Sequence, residues 1–597
     1  MRLDRRDALK LFTLGAGALA GAAEAQTSPA ASFQHGVASG DPLADRVILW
    51  TRATPGAGAS GRLSIGWIVA EDPELAHVVA RGQAETGPER DFTVKVEAAG
   101  LQPGRDYWYR FSLGGAPSPV GRTRTLPAGP TDKVVLAFVT CSLFPNGYFN
   151  AYDHIARSER LDAVVELGDY IYEYGGQPDD YGMENGARLG RVPEPAHDLV
   201  TLADYRTRYA QYRRDADLQA AHARAPWISV WDDHEVCNDT WKGGAENHHE
   251  KTEGAFADRK AAAVRAWFEW MPVREPAPGR AREAIYRSFD FGDLASLTML
   301  ETRLLARSYQ LEFDRPGDIP FVLYDASGPG ARRRVTDSAV LAQVAARTPD
   351  GGAPPAPYIL GPDVEAVRRY IGDPQRQMLG PEQEAWLAET LAASVRGGRP
   401  WQVIGNQVVM ARTQSPKLEP MLGRAGVEAF LAKIPAALRP RAAREVEIDS
   451  FDLPFDLDGW DGYPAARARM DAIYRGAGGN TIVVSGDSHA FWVNQLREAA
   501  GAKPVAAEFG VSAITSPSIA DEAGGFQLGQ VFMAQNPEVS FCDQLAKGYV
   551  RLTLTREAAV GELVAVPIDH KPYQAQVLGA WRLRPTAGPG VGALEKL

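Results

Sequence analysis

Four apolar runs in the sequence are each followed directly by polar side chains that could do chemistry. The runs are VVLAFVT, AVVELG, WISVW and TIVVSG, and each has the composition of a buried strand. Because ligands bind beyond the carboxyl ends of strands in open α/β sheets, we expect these side chains to meet in one cleft. In chain order they are Cys141; Asp169 and Tyr172; Asp232, Asp233, His234, Glu235 and Asn238; and Asp487 and His489.

These residue types together indicate a metal centre. Clustered carboxylates repel one another unless a cation neutralises them. Aspartate and asparagine oxygens suit hard cations such as Ca²⁺, Mg²⁺ or Mn²⁺. The thiolate of Cys141 and the phenolate of Tyr172 are strong anionic donors, which together suit Fe³⁺. A centre that combines iron with an alkaline-earth ion would serve phosphoryl chemistry.

Each residue also has an ordinary structural interpretation. A single cysteine at a strand end is usually a small buried apolar side chain, and a tyrosine among other tyrosines is typical of packing. We interpret Cys237 and Cys542 as structural, and His248 with His249 as an exposed pair without a role. The metal centre is therefore predicted from the joint pattern of four strand ends, not from any one residue.

The strands that carry these residues belong to a predicted α/β domain. From Lys133 onwards, apolar strand runs alternate with segments of helical period, and Pro381 fits the first turn of one helix. The predicted strands are 134–140, 163–167, 227–231, 295–300, 402–410 and 481–485. The predicted helices are 150–158, 202–213, 254–270, 381–394 and 465–474.

Composition divides the mature chain into several parts. Residues 33–126 show short strand runs between turn signals, which predicts an N-terminal β-sandwich domain. The catalytic domain is expected over residues 131–585. Within it, about residues 310–373 fit neither period and are interpreted as an insertion near the rim of the site. Residues 586–597 are expected to form a flexible tail.

The N-terminus is typical of a bacterial export signal over residues 1–25. Arg5 and Arg6 precede a short stretch rich in glycine and alanine, and an A-x-A pattern predicts cleavage after Ala25. The arginine pair favours the twin-arginine export machinery, with an ordinary Sec signal as the alternative. No membrane span is expected in the mature protein, which would be periplasmic or secreted.

The overall composition is that of a globular protein with more than one domain. The chain has 597 residues, of which 45% are hydrophobic and 23% are charged. Its formal net charge of −11 argues against a nucleic-acid partner that is bound by charge neutralisation. The 3 cysteines exclude a disulfide framework.

Several sequence blocks resemble those of the alkaline phosphatase D (PhoD-like) family. They occur in the family's order and cover the chain from about Phe33 to about Arg584. The blocks are VASGDPLADRVILWTR (Val37–Arg52), GYFNAYDHIARSERLDAVVELGDYIYEYG (Gly147–Gly175), WDDHEVCND (Trp231–Asp239), WDGYPAAR (Trp460–Arg467), SGDSHAFW (Ser485–Trp492) and AITSPS (Ala513–Ser518).

The resemblance implies a small β-sandwich followed by a metallophosphoesterase domain, a four-layered α/β/β/α sandwich. It also implies an exported enzyme that hydrolyses phosphomonoesters and phosphodiesters through an Fe³⁺ and Ca²⁺ centre and a metal-activated hydroxide. Carried over by motif, Cys141 and Tyr172 match the iron ligands, and Asp169 matches the bridging carboxylate. Asn238 and Asp487 match ligands of the neighbouring divalent cation.

Other residues have less definite roles under this resemblance. Asp232 or Asp233 is a further candidate metal ligand. His234 and His489 are candidates to contact phosphate or to protonate the leaving group. Arg303 is a candidate for binding the substrate phosphate, with a structural ion pair as the equal alternative.

Two positions depart from the family pattern, and two other functions stay open. Cys237 stands where an acidic residue is usual, and Glu301 stands where the family tends to have aspartate. One alternative is a phosphodiesterase or phospholipase D-like enzyme that acts on phospholipid or teichoic-acid-like polymers. The other is a non-enzymatic exported protein that binds a surface, which would leave the metal constellation unexplained.

Overall fold

The computed structural model of the protein describes residues 33–597, except 56–60, 179, 314, 316, 329–330, 349–351, 435–438, 500, 523–524, 587 and 589. The predicted signal peptide, residues 1–25, lies outside the described residues. Within the described part of the chain, the helices are all too short or too polar to cross a membrane.

The strands begin and end as follows. In the first part of the chain they are β1 (Val37–Gly40), β2 (Arg46–Arg52), β3 (Leu63–Ala70), β4 (Val78–Thr86), β5 (Thr93–Ala99), β6 (Asp106–Leu113), β7 (Ala116–Pro117), β8 (Gly121–Arg124), β9 (Lys133–Val139), β10 (Ala163–Glu166) and β11 (Trp227–Ser229). They continue as β12 (Arg287–Phe291), β13 (Ala295–Met299), β14 (Phe321–Gly328), β15 (Ala331–Arg334), β16 (Tyr358–Pro362), β17 (Trp401–Asn406), β18 (Asn480–Ser485), β19 (Phe491–Arg497), β20 (Pro504–Gly510), β21 (Val539–Asp543), β22 (Gly548–Thr555), β23 (Ala559–Ala565), β24 (Gln576–Leu583) and β25 (Glu595–Lys596).

The helices connect these strands and lie mostly in the α/β part of the chain. They are α1 (Asn150–Ala156), α2 (Met183–Leu189), α3 (Leu202–Arg213), α4 (Ala216–Arg224), α5 (Glu250–Glu253), α6 (Phe256–Trp270), α7 (Ser338–Arg347), α8 (Val364–Ile371), α9 (Pro381–Arg396), α10 (Leu418–Lys433), α11 (Arg439–Asp449), α12 (Pro464–Ala477), α13 (Ile519–Glu522) and α14 (Gly529–Gln535).

Two large sheets form the centre of the molecule. One has the order β25-β24-β23-β22-β9-β10-β11-β1-β2-β5, and the other has the order β12-β13-β17-β18-β20-β19-β21. In the first, β9, β10 and β11 are parallel, and in the second β13, β17, β18 and β20 are parallel. Side chains from both sheets, such as Leu136, Val165, Val403 and Val484, share one buried apolar cluster. The expected α/β class is therefore confirmed at the level of mixed α/β content with several sheets.

The apolar runs predicted the main elements well. The expected helix over 202–213 is α3, and Thr201 with Asp204 forms a capping box at its start. Pro381 lies in the first turn of α9, as expected. All six predicted α/β strands are present as β9, β10, β11, β13, β17 and β18.

The strands of the expected N-terminal β-sandwich divide between two sheets. Strands β3, β4, β6, β7 and β8 form a sheet of their own, but β1, β2 and β5 extend the ten-stranded sheet. The connection is the parallel pairing of Gly40 with Trp227. A buried cluster that includes Leu49, Ile65 and Tyr109 lies between the two sheets. Strand pairing therefore crosses the expected boundary at residue 126. The sequence did not predict this, because pairing between distant strands leaves no mark in a local pattern.

Two segments without clear periodicity also have defined structure. Part of the expected insertion, residues 310–373, folds as a three-stranded sheet, β15-β14-β16, with α7 and α8. It packs on Phe451 and Leu457, two apolar residues that precede the Trp460 block in the chain. The expected flexible tail, 586–597, instead pairs with β24 through β25. The local composition of either segment does not reveal these contacts, because the contacts join residues that are distant in the chain.

Candidate metal centre

The four expected strand ends meet where the carboxyl ends of the central strands come together. Cys141 follows β9, Asp169 follows β10, and Asp487 with His489 follows β18. Their backbones all lie in the left-handed region, with φ of 59°, 59°, 65° and 53°. This conformation costs roughly 1–3 kcal/mol for each non-glycine residue and persists mainly at functional sites. The sharp turns direct side chains from both sheets into one buried cluster.

Asp169 lies at the centre of the cluster. Its Oδ2 atom accepts hydrogen bonds from Tyr172 Oη at 3.0 Å and from Cys141 Sγ at 3.5 Å. Ser516 Oγ lies 2.7 Å from Tyr172 Oη and 3.0 Å from the carbonyl oxygen of Cys141, which fixes both ligands relative to each other. A thiol, a phenol and a carboxylate thus converge on one point, and all three side chains are almost fully buried.

Asp169 also belongs to a group of four carboxylates with Asp232, Asp233 and Asp487. One oxygen of each lies within 4.8 Å of the others. Asp232 Oδ2 and Asp233 Oδ1 are buried and have no hydrogen-bond partner among the described residues. Buried carboxylate oxygens without partners are costly, so these two atoms fit the ligands of a cation.

The electrostatics of the cluster favour the binding of a positive charge. Burial, and then repulsion from neighbouring carboxylates, raise the pKa values of Asp169 and Asp487 well above the usual range. Burial raises the pKa of Asp232 to about 6, although Arg303 opposes it. Burial also raises the pKa values of the Cys141 thiol and the Tyr172 phenol. A bound cation would reverse these effects, because it stabilises every deprotonated ligand.

The donor sets fit two kinds of cation. Sulfur and phenol oxygen from Cys141 and Tyr172 suit Fe³⁺, and a ring nitrogen of His489 lies within 4.8 Å of ligand atoms of Cys141 and Asp169. The carboxylates of Asp232, Asp233 and Asp487 suit a hard divalent ion. Asp169 belongs to both sets. The described residues therefore contain the cluster that a metal-dependent enzyme needs.

The two candidate histidines differ in their hydrogen bonds. His489 Nδ1 lies 2.6 Å from the carbonyl oxygen of Pro517, which can only accept, so Nδ1 carries a proton and Nε2 faces Tyr172 Oη at 3.3 Å. Burial, with Lys547 nearby, lowers the pKa of His489 to about 3. The ring of His489 is therefore neutral, and its Nε2 offers a lone pair.

His234 has the opposite character. Its Nδ1 lies 2.7 Å from a carboxylate oxygen of Glu173, and its ring packs against Tyr172 with centroids 4.1 Å apart. Burial alone would lower the pKa of His234, but the charges of Asp233, Glu173 and Asp169 raise it well above its usual value. His234 therefore suits the role of a proton donor better than His489.

Two further candidates from the sequence, Asn238 and Arg303, make polar contacts in and around the site. The side-chain amide of Asn238 donates to Glu246 at 2.6 Å, and its main-chain N–H donates to Glu173 at 2.7 Å. The predicted role of Asn238 as a metal ligand stays a prediction. The fully buried guanidinium of Arg303 contacts Asp232 and lies 2.7 Å from Asp458, so Arg303 forms ion pairs within the site, and its role in binding phosphate stays a prediction.

Three further carboxylates organise the site: Asp458 and Glu173 were missed in the sequence, and Glu235 was placed there without a role. Asp458 binds both Arg303 and Arg307 and lies two residues before the conspicuous Trp460 block. Glu235 accepts main-chain hydrogen bonds from Asp169, Tyr170 and Asp232, so it holds two ligand-bearing loops together. Glu173 carries His234. Glu235 stands inside the WDDHE run and Glu173 inside GDYIYEYG, so their positions in these motifs were the available signal.

Comparison with protein families decides which family this site belongs to. Residues 136–563 match the family described as PhoD-like phosphatase, and residues 18–127 match its N-terminal domain. The chain belongs to the PhoD-like phosphatase family. The resemblance seen in the sequence blocks is thereby confirmed.

Two relatives of this PhoD-like chain agree with the family assignment. Alkaline phosphatase D of Bacillus subtilis (strain 168) is 33% identical over 574 residues, which cover 93% of this chain and 82% of that protein. A solved structure described as that of PhoD superposes with a TM-score of 0.71 at 30% identity, and covers 95% of this chain and 92% of that one. This homology supports a phosphoric ester hydrolase, and the buried cluster supplies a site for it.

Proposed function

We propose that this PhoD-like enzyme hydrolyses phosphomonoesters and phosphodiesters with an Fe³⁺ ion and at least one Ca²⁺ ion. The observation that carries the proposal is the convergence of Cys141 Sγ and Tyr172 Oη on one oxygen of Asp169. Few cations other than Fe³⁺ suit a thiolate and a phenolate together, whereas the adjoining carboxylates suit Ca²⁺. The bound cations would supply Lewis acidity, both to activate water and to neutralise phosphate oxygens.

The protein's own residues provide the rest of the chemistry. Ser516 and Glu235 hold the ligand loops in place before substrate arrives, which supports a preorganised site. His234, with Nδ1 bound to Glu173, has Nε2 available to give a proton to the leaving oxygen. His489 has its Nδ1 proton held by Pro517 and is better suited to act as a ligand or acceptor.

The buried cluster shared by the two central sheets supports a layered arrangement of sheets and helices. We include in the proposal the four-layered α/β/β/α arrangement, with α1 and α4 outside the ten-stranded sheet and α9 and α12 outside the other. In support, Ile155 and Leu218 join the shared cluster, while Leu387 and Met470 join a second cluster beside the seven-stranded sheet.

The activity is tested with a panel of aryl phosphate mono-, di- and triesters. We expect Asp169→Asn to reduce hydrolysis of mono- and diesters by about 1,000-fold or more, since this carboxylate belongs to both donor sets. Asp290→Asn is the matched control. Asp290 is an exposed aspartate that pairs with Arg399 and does not belong to the carboxylate cluster. Asp169→Asn with native activity would contradict the proposed site.

The same panel separates the two enzymatic alternatives. Release of inorganic phosphate from monoesters supports the proposed range. Activity confined to diesters, phospholipid vesicles or a glycerol-phosphate polymer would replace it with the phosphodiesterase or phospholipase D-like alternative. Product identification is needed, because loss of substrate alone does not show which ester bond was cleaved.

We also propose export to the periplasm or medium by the twin-arginine route. The support is the Arg5-Arg6 pair within residues 1–25 and the A-x-A pattern that ends at Ala25. Replacing both arginines by lysine should retain the full-length protein in the cytoplasm. N-terminal sequencing of exported protein should begin at Gln26, and export of the lysine variant at the native level would favour the Sec alternative.

A further inference from the structure

Helix α3 carries two buried arginines whose surroundings differ completely. Arg208 is 1% exposed, and its guanidinium donates to main-chain carbonyls of Tyr172, Tyr174, Glu194 and Pro195. Arg213, at the end of the same helix, is 0% exposed. Its Nε, Nη1 and Nη2 atoms have no partner at ordinary hydrogen-bond geometry among the described residues, and the Tyr170 hydroxyl is the group near enough to interact with the guanidinium.

The charge of Arg213 is also unpaired. Among the described residues, no carboxylate forms an ion pair with it, although buried arginines elsewhere, such as Arg303, have several. Its guanidinium lies over the ring of Trp50 at 4.1 Å. A cation–π contact offsets only part of the cost of burying a charge. Because arginine does not lose its proton in proteins, the positive charge persists inside the fold.

The groups around Arg213 are hydroxyls and aromatic rings. Burial lowers its pKa, and the ionisable groups that act on it are the phenols of Tyr170 and Tyr109. The hydroxyls of Tyr109 and Ser39 are buried and close to each other, and neither has a partner at ordinary hydrogen-bond geometry among the described residues. These hydroxyls come from N-terminal strands β1 and β6, whereas Arg213 and Tyr170 come from the catalytic part. Arg213 and these hydroxyls therefore lie between the N-terminal strands and the catalytic part.

We propose that Arg213 binds a small monovalent anion, of the size of chloride, between the N-terminal strands and the catalytic part. Water would accept hydrogen bonds from the N–H groups but would leave the buried charge uncompensated. An anion accepts the same hydrogen bonds and also compensates the charge. The hydroxyls of Tyr109 and Ser39 are able to donate to the same anion. The size of a halide suits a packed interior better than an oxyanion does.

The anion site lies behind the metal centre, not in it. Tyr170 directly follows Asp169, and its hydroxyl is bound to His222 Nε2 at 3.0 Å. Arg208, on the same helix as Arg213, binds the carbonyl of Tyr172. Occupancy of the site would therefore stabilise the helix that holds the ligand-bearing loop, and this role is independent of the reaction proposed above.

The direct test is crystallography of the full protein with bromide in place of chloride. We expect an anomalous peak within hydrogen-bond distance of the Arg213 guanidinium nitrogens. Water density at these nitrogens, or no density, in crystals that show bromide elsewhere would overturn the proposal. This experiment uses the native protein, so it does not depend on any variant folding.

Thermal unfolding provides a second test with a control on the same helix. Replacing about 0.2 M chloride by gluconate should lower the Tm of the native protein by about 1–3 °C. Arg213→Met should lose this halide dependence, whereas Arg208→Lys should keep it, because the carbonyl partners of Arg208 leave no place for an anion. Equal halide dependence in Arg213→Met and native protein would overturn the proposal.

Discussion

His234 Nδ1 lies 2.7 Å from Oε2 of Glu173, a carboxylate that is fully buried and also receives the main-chain N–H of Asn238. Although burial acts against it, the charge of His234 helps to hold the pKa of Glu173 below its usual value. Glu173 therefore fixes both the orientation and the charge of His234, and it does so without being in the carboxylate cluster itself.

Glu173→Gln tests this positioning role. The amide keeps the shape of the side chain but removes the negative charge, so we expect kcat to fall by about 10–100-fold with little change in KM. Metal content should stay close to the native value. The measurement is steady-state hydrolysis of an aryl phosphate beside elemental analysis of the same samples.

A second histidine–glutamate pair serves as the control for that substitution. His248 Nδ1 lies 3.1 Å from Glu253, and Glu253 is not part of the cluster. Glu253→Gln should leave kcat within about twofold of the native value, since it perturbs a similar pair away from the chemistry. Equal losses in the two variants would show that Glu173 acts only through stability.

Much of the site could be predicted from sequence because of one rule. Strand runs are visible as apolar segments, and the rule that ligands gather at strand ends then places Cys141, Asp169, Asp233 and Asp487 together. Asp458 was missed because it lies in a loop without periodicity, directly after Leu457, which contacts the insertion. Loops carry function without a local pattern that reveals their contacts.

The same distinction applies to the fold. Local patterns located β2, β3, β5 and β6 but could not show that β1 pairs with β11 and joins two parts of the chain. For Asn238 and Arg303, residue type was compatible with several partners. Only the folded arrangement shows that Asn238 contacts Glu246 and that Arg303 contacts Asp232.

Arg303 is expected to stabilise the protein strongly when metals are absent. Arg303→Met leaves the buried Asp232 and its neighbours without their shared cation, so the free energy of unfolding should fall by about 3–5 kcal/mol. Added Ca²⁺ should restore part of the loss, because it supplies positive charge to the same carboxylates. Urea unfolding of chelator-treated protein, with and without Ca²⁺, measures both effects.

Arg551→Met is the matched control for Arg303→Met. Arg551 forms a two-pronged ion pair with Glu562, but both side chains are partly exposed. Such a pair contributes about 1 kcal/mol or less. If the two variants lost similar stability, the special role of Arg303 in the cluster would be wrong.

The close approach of β1 to the catalytic part is tested at Gly40. A Cβ atom on Gly40 would lie 2.2 Å from the carbonyl oxygen of Pro272 and 2.7 Å from that of Trp227. Gly40→Ala should therefore cost about 2–4 kcal/mol. At Gly61 a Cβ would meet no atom of the described residues within 4 Å, so Gly61→Ala should be nearly neutral when both variants are compared by thermal unfolding.

We expect the buried side chain of His35 to make the folded protein less stable in acid. Burial, with Arg52 and Arg213 nearby, lowers its pKa to about 3 from 6.5. The stability that depends on neutral His35 is fully present above pH 6.5 and is lost as the pH falls towards 3, because only the unfolded state takes up the proton. At about pH 4.5 the loss should be about 2–3 kcal/mol.

His35→Gln should flatten this part of the pH profile, because glutamine does not titrate. The exposed His77 provides the control, and His77→Gln should retain the native slope between about pH 4.5 and 6.5. Chemical unfolding at several pH values, with metal ions held in excess, gives the measurement. A native slope in His35→Gln would exclude His35 as the titrating group.

The central claim is that Cys141, Tyr172 and Asp169 hold iron, and iron content with visible absorption tests it most directly. Native protein should contain about one iron per chain and show a thiolate and phenolate charge-transfer band. Cys141→Ala should lose the iron, the band and most activity, whereas Cys237→Ala, at another buried cysteine, should keep all three. A colourless, iron-free native enzyme with full activity, or full activity in Cys141→Ala, would contradict the account.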